Sequence, residues 1–148
     1  MTKTIEKLQA ALAGMPKTEE TKEDKPTGSI KIEVVEAKLD RSTEWIGKQD
    51  PFAELSIRMQ KFKTKTHTDG AKAPVWNETT TMDVLDLGEA IKIQVWDEDL
   101  TSNDLICEGT VSLSALCVSA PIDDWFQLQY QGKNSGKIHL RTKYTPQN

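Results

Sequence analysis

Five acidic residues of this chain have the types and spacing that could do chemistry. They are Asp50, in Asp50-Pro51-Phe52, then Asp97, Glu98 and Asp99 in a row, and Asp104 shortly after. Each cluster follows an apolar-alternating run that reads as a β-strand, so each falls on a loop just past a strand end. Loops of this kind can meet at one rim of a β-sandwich and bring several hard oxygen donors together. Carboxylates crowded in this way repel one another unless a divalent cation fills the site. Asp-x-Asp places both side chains on the same side of an extended segment. With Asp104 as a third acid, the set suits Ca²⁺, which accepts six to eight irregularly placed oxygens. Zinc is poorly served, because the two His and two Cys are not clustered at ligand spacing.

The elements that must position these acids are legible in outline. The chain has 148 residues, 36% of them hydrophobic, enough for one domain with a core. From Gly28 onward the pattern has period two. Ile30, Ile32 and Val34 alternate with Lys31 and Glu33, and Ala53, Leu55 and Ile57 with Glu54, Ser56 and Arg58. Further strands are expected over 61–68, 78–84, 90–96, 108–112, 125–129 and 137–142, with a turn at Asp69-Gly70. About eight short strands separated by turn signals indicate an all-β fold, a β-sandwich rather than an α/β fold. Trp76 and Trp125 read as core residues, and Asn77 as the organiser of a turn.

Residues 1–27 differ. Ile5, Leu8, Leu12 and Met15 form a short helical stripe stopped by Gly14 and Pro16, and the charge-rich stretch from Lys17 to Thr27 reads as a disordered linker. The stripe is open to a protein partner or a membrane surface, although isolated helices this short are marginal in water. The expected division is therefore an extension over 1–27 and a domain over 28–146. The net charge of −4 argues against nucleic acid. Cys107 and Cys117 stand outside any disulfide framework, as in a reducing compartment. No run approaches the roughly 20 apolar residues of a membrane span, and no signal peptide is visible. The chain is expected to be cytoplasmic.

At this point the residues resemble a C2 domain. The segment Ser29 to Leu39 is similar to that family's first strand, and Asp50-Pro51-Phe52 to its Asp-Pro-Tyr. Pro74-Val75-Trp76-Asn77-Glu78 resembles its Asn-Pro-x-Trp-Asn-Glu, and Val95-Trp96-Asp97-Glu98-Asp99 its third calcium loop. The resemblance implies an eight-stranded antiparallel Greek-key β-sandwich that binds Ca²⁺ and anionic phospholipid at one end. The strand order is similar to the family's second, circularly permuted topology, closed by Gly136 to Leu140. By the same resemblance Glu44 stands where an Asp is usual, with Asp40 as a nearby substitute. The last ligand is Asn103 or Asp104, and Cys107 holds a place that is often Gly. The implied metal set is Glu44, Asp50, Asp97, Asp99, Asp104 and Asp40.

Trp45 and Ile46 fall at the tip of the first loop and Leu100 on the third, where they are expected to enter the bilayer interface. Lys61, Lys63, Lys65 and His67 share one face by period two, with Trp96 and Phe52 turned outward. In protein kinase C-like relatives a similar Lys-Thr-Lys and aromatic form a phosphoinositide groove. Lys63, Lys65, Trp96 and Asn103 match that pattern, whereas Glu54 and Ser56 stand where basic residues are usual. Calcium-dependent recruitment to anionic membranes, phosphoinositides among them, is the function implied. The rival is a calcium-independent scaffold for protein–protein interaction. An enzyme is not expected, since His67 and His139 lie without a nucleophile motif.

Overall fold

The computed structural model describes residues 25–148. The stripe of Ile5, Leu8, Leu12 and Met15, and most of the charge-rich stretch after it, lie outside these residues. Thr27, the last residue of the expected linker, instead joins the sheet edge: its amide and its hydroxyl both donate to the Val84 carbonyl.

The expected all-β sandwich is what forms. Its strands are β1 (Gly28–Leu39), β2 (Pro51–Ile57), β3 (Gln60–Lys63), β4 (Val75–Val84), β5 (Ala90–Asp97), β6 (Asp104–Ser112), β7 (Ile122–Tyr130) and β8 (Lys133–Pro146). A four-residue helix, α1 (Leu113–Leu116), lies between β6 and β7. Neighbours pair antiparallel in the order β3-β2-β5-β6-β7-β8-β1-β4. Glu108 and Gln129 are the single register pair joining β6 to β7. The sheet therefore folds there into two layers, whose inner residues form one core. Ile30 and Ile32 of β1, Leu55 of β2, Ile91 and Ile93 of β5 and Leu140 of β8 are all completely buried in it.

Antiparallel alternation sends the ends of β1, β3 and β5 to the same edge of the sandwich. Loop one (40–50), loop two (64–74) and loop three (98–103) gather there. Two expectations change at this edge. β3 ends at Lys63, not at Thr68, because Thr64 turns inward: its hydroxyl accepts from the Ala53 amide, where the ladder would otherwise continue. Lys65 and His67 consequently lie on loop two, where the His67 Nδ1 accepts from the Val75 amide. Asn77 takes a left-handed backbone, φ 52°, where the β1–β4 register slips beside Trp76. Trp76 is buried as expected, and its indole N–H donates to the Pro51 carbonyl at 3.1 Å. Cys107 is fully buried with an ordinary φ, so no strain arises from its replacing a glycine. Burial pushes its thiol up to about 12.

The root of loop one depends on Gly136, which pairs with Leu39 at φ 151°. A Cβ there would stand 2.8 Å from the Lys38 carbonyl oxygen and 3.1 Å from the Leu39 Cα, both backbone atoms that cannot swing away. Gly136→Ala is therefore expected to destabilise the chain by about 2 kcal/mol. A thermal melt showing a loss of several degrees checks this; an unchanged melting temperature would mean that the two strands separate freely here.

Candidate functional site

Asp97 ends β5 with its side chain completely buried, a placement an acid tolerates only when its oxygens are satisfied. One oxygen accepts from the Asp50 amide at 2.7 Å and the other from the Thr43 hydroxyl at 2.5 Å. The end of β5 thus holds two points of loop one. Asp50 passes the linkage on, accepting from the Asp69 amide at 2.7 Å, while its carbonyl accepts from the Glu98 amide. Across loop two, Thr66 donates to Glu98. Three loops separated in sequence are tied together through acids.

Gln49 makes the second set of ties. Its side-chain amide, near the end of loop one, is fully buried, donating to the carbonyls of Arg41 and Ala71 at 3.0 and 2.8 Å and accepting from the Thr43 amide at 3.0 Å. Arg41 fixes the outer side of the same loop. Its guanidinium donates to the carbonyls of Ile106 and Leu105 and lies 3.6 Å above the ring of Tyr130. Neither residue is legible in sequence as a site residue. A Gln beside Lys48 in a polar loop carries no burial signal, and Arg41 reads as an ordinary loop cation.

Around this frame the acids are close enough to alter one another. Glu44 is pushed up to about 7, first by its hydrogen bond with Asp97, then by the charge of Asp97, by desolvation and by the charges of Asp99 and Asp50. Burial pushes Asp97 up as well, but hydrogen bonds from Glu44, Thr43 and the Asp50 amide outweigh it and hold its carboxyl below the usual range. Asp104 lies directly across the β5–β6 ladder from Asp97 and lines an open cleft of about 870 Å³ with Glu44 and Trp45. Asn103 accepts from the Asp99 amide at 3.1 Å, closing loop three on itself. Asp40 stands apart: its amide donates to the Ser135 carbonyl, on β8 across from the root of loop one.

Among the described residues no three His, Cys, Asp or Glu side chains are grouped closely enough to hold a metal ion. The donor chemistry nonetheless fits a hard cation. Four carboxylates share one field, every candidate donor is oxygen, and Asp97 and Asp50 are held by backbone amides. Above the acids the tips are apolar and bare: Trp45 is 100% exposed, Ile46 89% and Leu100 102%.

The groove expected on the other side of β2 is partly assembled. Phe52, Glu54, Lys63, Trp96 and Asn103 line a pocket of about 320 Å³. Phe52 is on the outward face, but it is buried there because the Lys63 ammonium covers its ring at 4.3 Å. The buried indole N–H of Trp96 has no partner. Lys65 is not in this lining; its amide donates to Glu78. Glu54 sits directly across from Lys63 and opposes its charge within the groove.

Trp125 corrects the sequence reading. It is half-buried on the outer face of β7, stacked on His139, while Leu128 takes the core position on that strand. His139 lies on β8, and His67 on loop two rather than on a strand. Among the described residues no helix is long and apolar enough to cross a membrane.

Comparison with known proteins agrees with this architecture. A family model described as C2 domain matches residues 28–128. Synaptotagmin-4 of Arabidopsis thaliana is 30% identical over 121 residues, covering 80% of this chain and 21% of that protein. Extended synaptotagmin-3 of Homo sapiens is 29% identical over 124 residues, covering 80% of this chain and 14% of that protein. This chain thus spans a quarter or less of these relatives. Among solved structures, the pair of C2 domains of Extended-Synaptotagmin 2 with calcium bound superposes with a TM-score of 0.72 at 26% identity, covering 82% of this chain and 47% of that one. A C2 domain of plant Extended Synaptotagmin 1 gives 0.75 at 21% identity, covering 84% and 98%, a likeness of fold.

Proposed function

This chain belongs to the C2 domain family, and from that premise we propose that its acidic rim takes Ca²⁺ and thereby docks the chain on anionic phospholipid. The observation that carries the reading is the convergence of Glu44, Asp50, Asp97 and Asp99 on one field directly beneath bare apolar tips. A lipid-binding module of this family also fits the relatives, among them a structure solved with calcium bound.

The geometry supports a division of roles. Asp97 and Asp50, fixed by backbone amides, are the rigid donors. Glu44, Asp99 and Asp104 are the adjustable ones, on loops one and three and at the first position of β6. Bound Ca²⁺ would supply positive charge that offsets the acids and draws lipid phosphate oxygens to the rim. Without such an offset the four carboxylates repel an anionic surface, and Trp45, Ile46 and Leu100 are held off it. With the repulsion removed, these three side chains enter the interface, where an indole ring is well accommodated. The chain's own residues thus provide a charge gate and an apolar anchor on the same loops, and no catalytic step is assigned to it. The test is co-sedimentation with phosphatidylserine vesicles, with and without calcium, alongside a calcium titration of the melting temperature. If neither responds, the calcium reading fails and the protein-interaction scaffold takes its place.

The unpartnered Trp96 N–H beside Lys63 and Asn103 favours a second role, a phosphoinositide headgroup in the β2–β3 groove. A headgroup phosphate would accept from that N–H and pair with Lys63. Replacing Lys63 and Lys65 by Ala should weaken binding to phosphatidylinositol bisphosphate vesicles more than to phosphatidylserine vesicles. Each cation contributes about 1 kcal/mol near an anionic surface, and Glu54 already opposes Lys63. Equal losses on both lipids would leave only general electrostatics.

A further inference from the structure

The outer face of the layer formed by β4, β1, β8 and β7 carries an aromatic group that the core does not claim. Trp125 stacks on His139, its cross-strand partner, with ring centroids 5.0 Å apart and planes inclined by 25°. The ammonium groups of Lys38 and Lys137 each lie 5.2 Å from the centroid of the same indole. These two lysines stand directly opposite one another on β1 and β8. The register shift between Val34 and Glu36 brings this about, because beyond it Glu36 and Lys38 fall on the outer face while Ala37 and Leu39 are buried. Like charges directly opposite on an antiparallel pair are unfavourable.

The neighbouring acids are engaged elsewhere. Glu36 and Asp123 close on His139 at 3.4 and 2.5 Å, and Asp123 and Glu33 on Arg141 at 3.1 and 3.3 Å. Hydrogen bonding to Asp123 holds His139 above the ordinary imidazole range, and the same bond, followed by that from Arg141, lowers Asp123. Neither Lys38 nor Lys137 forms an ion pair with another described residue. A chain of net charge −4 thus presents two adjacent cations over a half-buried indole. Lys38 is two positions before Asp40, the first residue of loop one, so the patch continues the rim that carries Trp45 and Ile46. Two ammoniums on apolar stems beside an indole suit an oxyanion at an apolar boundary, and a lipid phosphate at the bilayer surface is such a group.

We propose that Lys38, Lys137 and Trp125 form a second headgroup site, on the side of the sandwich, which binds the phosphate of an anionic phospholipid without calcium. The proposal rests on the lipid-binding reading of the chain but not on its calcium dependence. The phosphate bridges the two ammonium groups and removes their mutual repulsion. The indole lies against the glycerol boundary, and stacking on His139 keeps it from folding away.

The experiment uses the full chain in EGTA with vesicles of phosphatidylcholine, with and without phosphatidylserine. Lys38→Gln with Lys137→Gln should weaken binding to the phosphatidylserine vesicles about 30-fold, from two cations of about 1 kcal/mol each. Lys31→Gln with Lys143→Gln removes the same charge from the other end of this face and should weaken it only a few-fold. Equal losses from the two pairs would overturn the site in favour of general electrostatics. In ¹H–¹⁵N spectra, short-chain phosphatidylserine should shift the Trp125 indole cross-peak, identified with Trp125→Phe, in the wild type but not in the lysine variant. Inorganic phosphate or a hexaglutamate peptide shifting that peak as strongly as the lipid would overturn the lipid assignment. The calcium-induced melting shift should be the same in the lysine variant as in the wild type. Because the vesicle assay contains no calcium, failure of the calcium reading leaves its result intact.

Discussion

Asp97→Asn combined with Asp99→Asn should abolish the rise in melting temperature that millimolar calcium gives the wild-type chain. A ligand that binds only the native state stabilises it in proportion to the logarithm of its concentration over Kd. At a hundredfold excess over Kd the gain is about 2.7 kcal/mol, a shift of several degrees for a domain of this size. Asp97 is the buried, doubly hydrogen-bonded member of the cluster, and Asp99 acts on the same field from the next loop position but one. Because Asp97 also organises loop one through Asp50 and Thr43, the variant's melting temperature in EGTA will change too. The quantity to compare is the difference between calcium and EGTA within each protein. Asp40→Asn supplies the contrast. Its amide is tied to Ser135 of β8 and not to the cluster, so this variant should retain the full calcium response. A retained response in the double variant, or a lost one in Asp40→Asn, would move the metal away from the cluster that Glu44 and Asp97 define.

Much of this site is legible in sequence because its acids lie where alternation stops. Ile91, Ile93 and Val95 fix the inner face of β5, so the next inward position is Asp97, and an acid there needs partners. The partners themselves are not legible. Gln49 becomes buried because loop one folds over loop two and leaves two carbonyls and one amide to satisfy, a tertiary consequence that no local pattern encodes. β3 is shorter than its pattern because, past Phe62, Lys63 to Thr68 alternates between long and short polar residues, which mimics a strand without requiring one. The Thr64 hydroxyl settles the end by taking the Ala53 amide. Trp125 departs from expectation for the opposite reason: its size argues for the core, although counting back by twos from Leu128 gives Phe126 and not Trp125 on the inner side. Side-chain type competes with period there, and period prevails, since Lys38, Lys137 and His139 provide an outer surface on which an indole can lie.

Trp45→Ala should leave calcium binding nearly intact and weaken calcium-dependent vesicle binding by about 30-fold, since deep burial of a large apolar side chain contributes on the order of 2 kcal/mol. The separation of the two effects follows from the geometry. Trp45 is adjacent to Glu44 in sequence but is completely exposed, with no hydrogen bond to any described residue, so its removal subtracts no support from the acids. The loop is held instead by Gln49, Arg41 and Asp97, which the substitution does not touch. Ile46, equally bare, should add a smaller loss of the same kind in Ile46→Ala. Bulk fluorescence of a chain with four Trp residues mixes their signals. Depth is therefore read by comparing the wild type with Trp45→Phe in the presence of lipids quenched at different positions along the acyl chain. The difference signal should show quenching only when calcium is present, and most strongly near the headgroup boundary. Quenching that is the same with and without calcium would sink the charge gate, because the acids would then no longer hold the tip away from the surface.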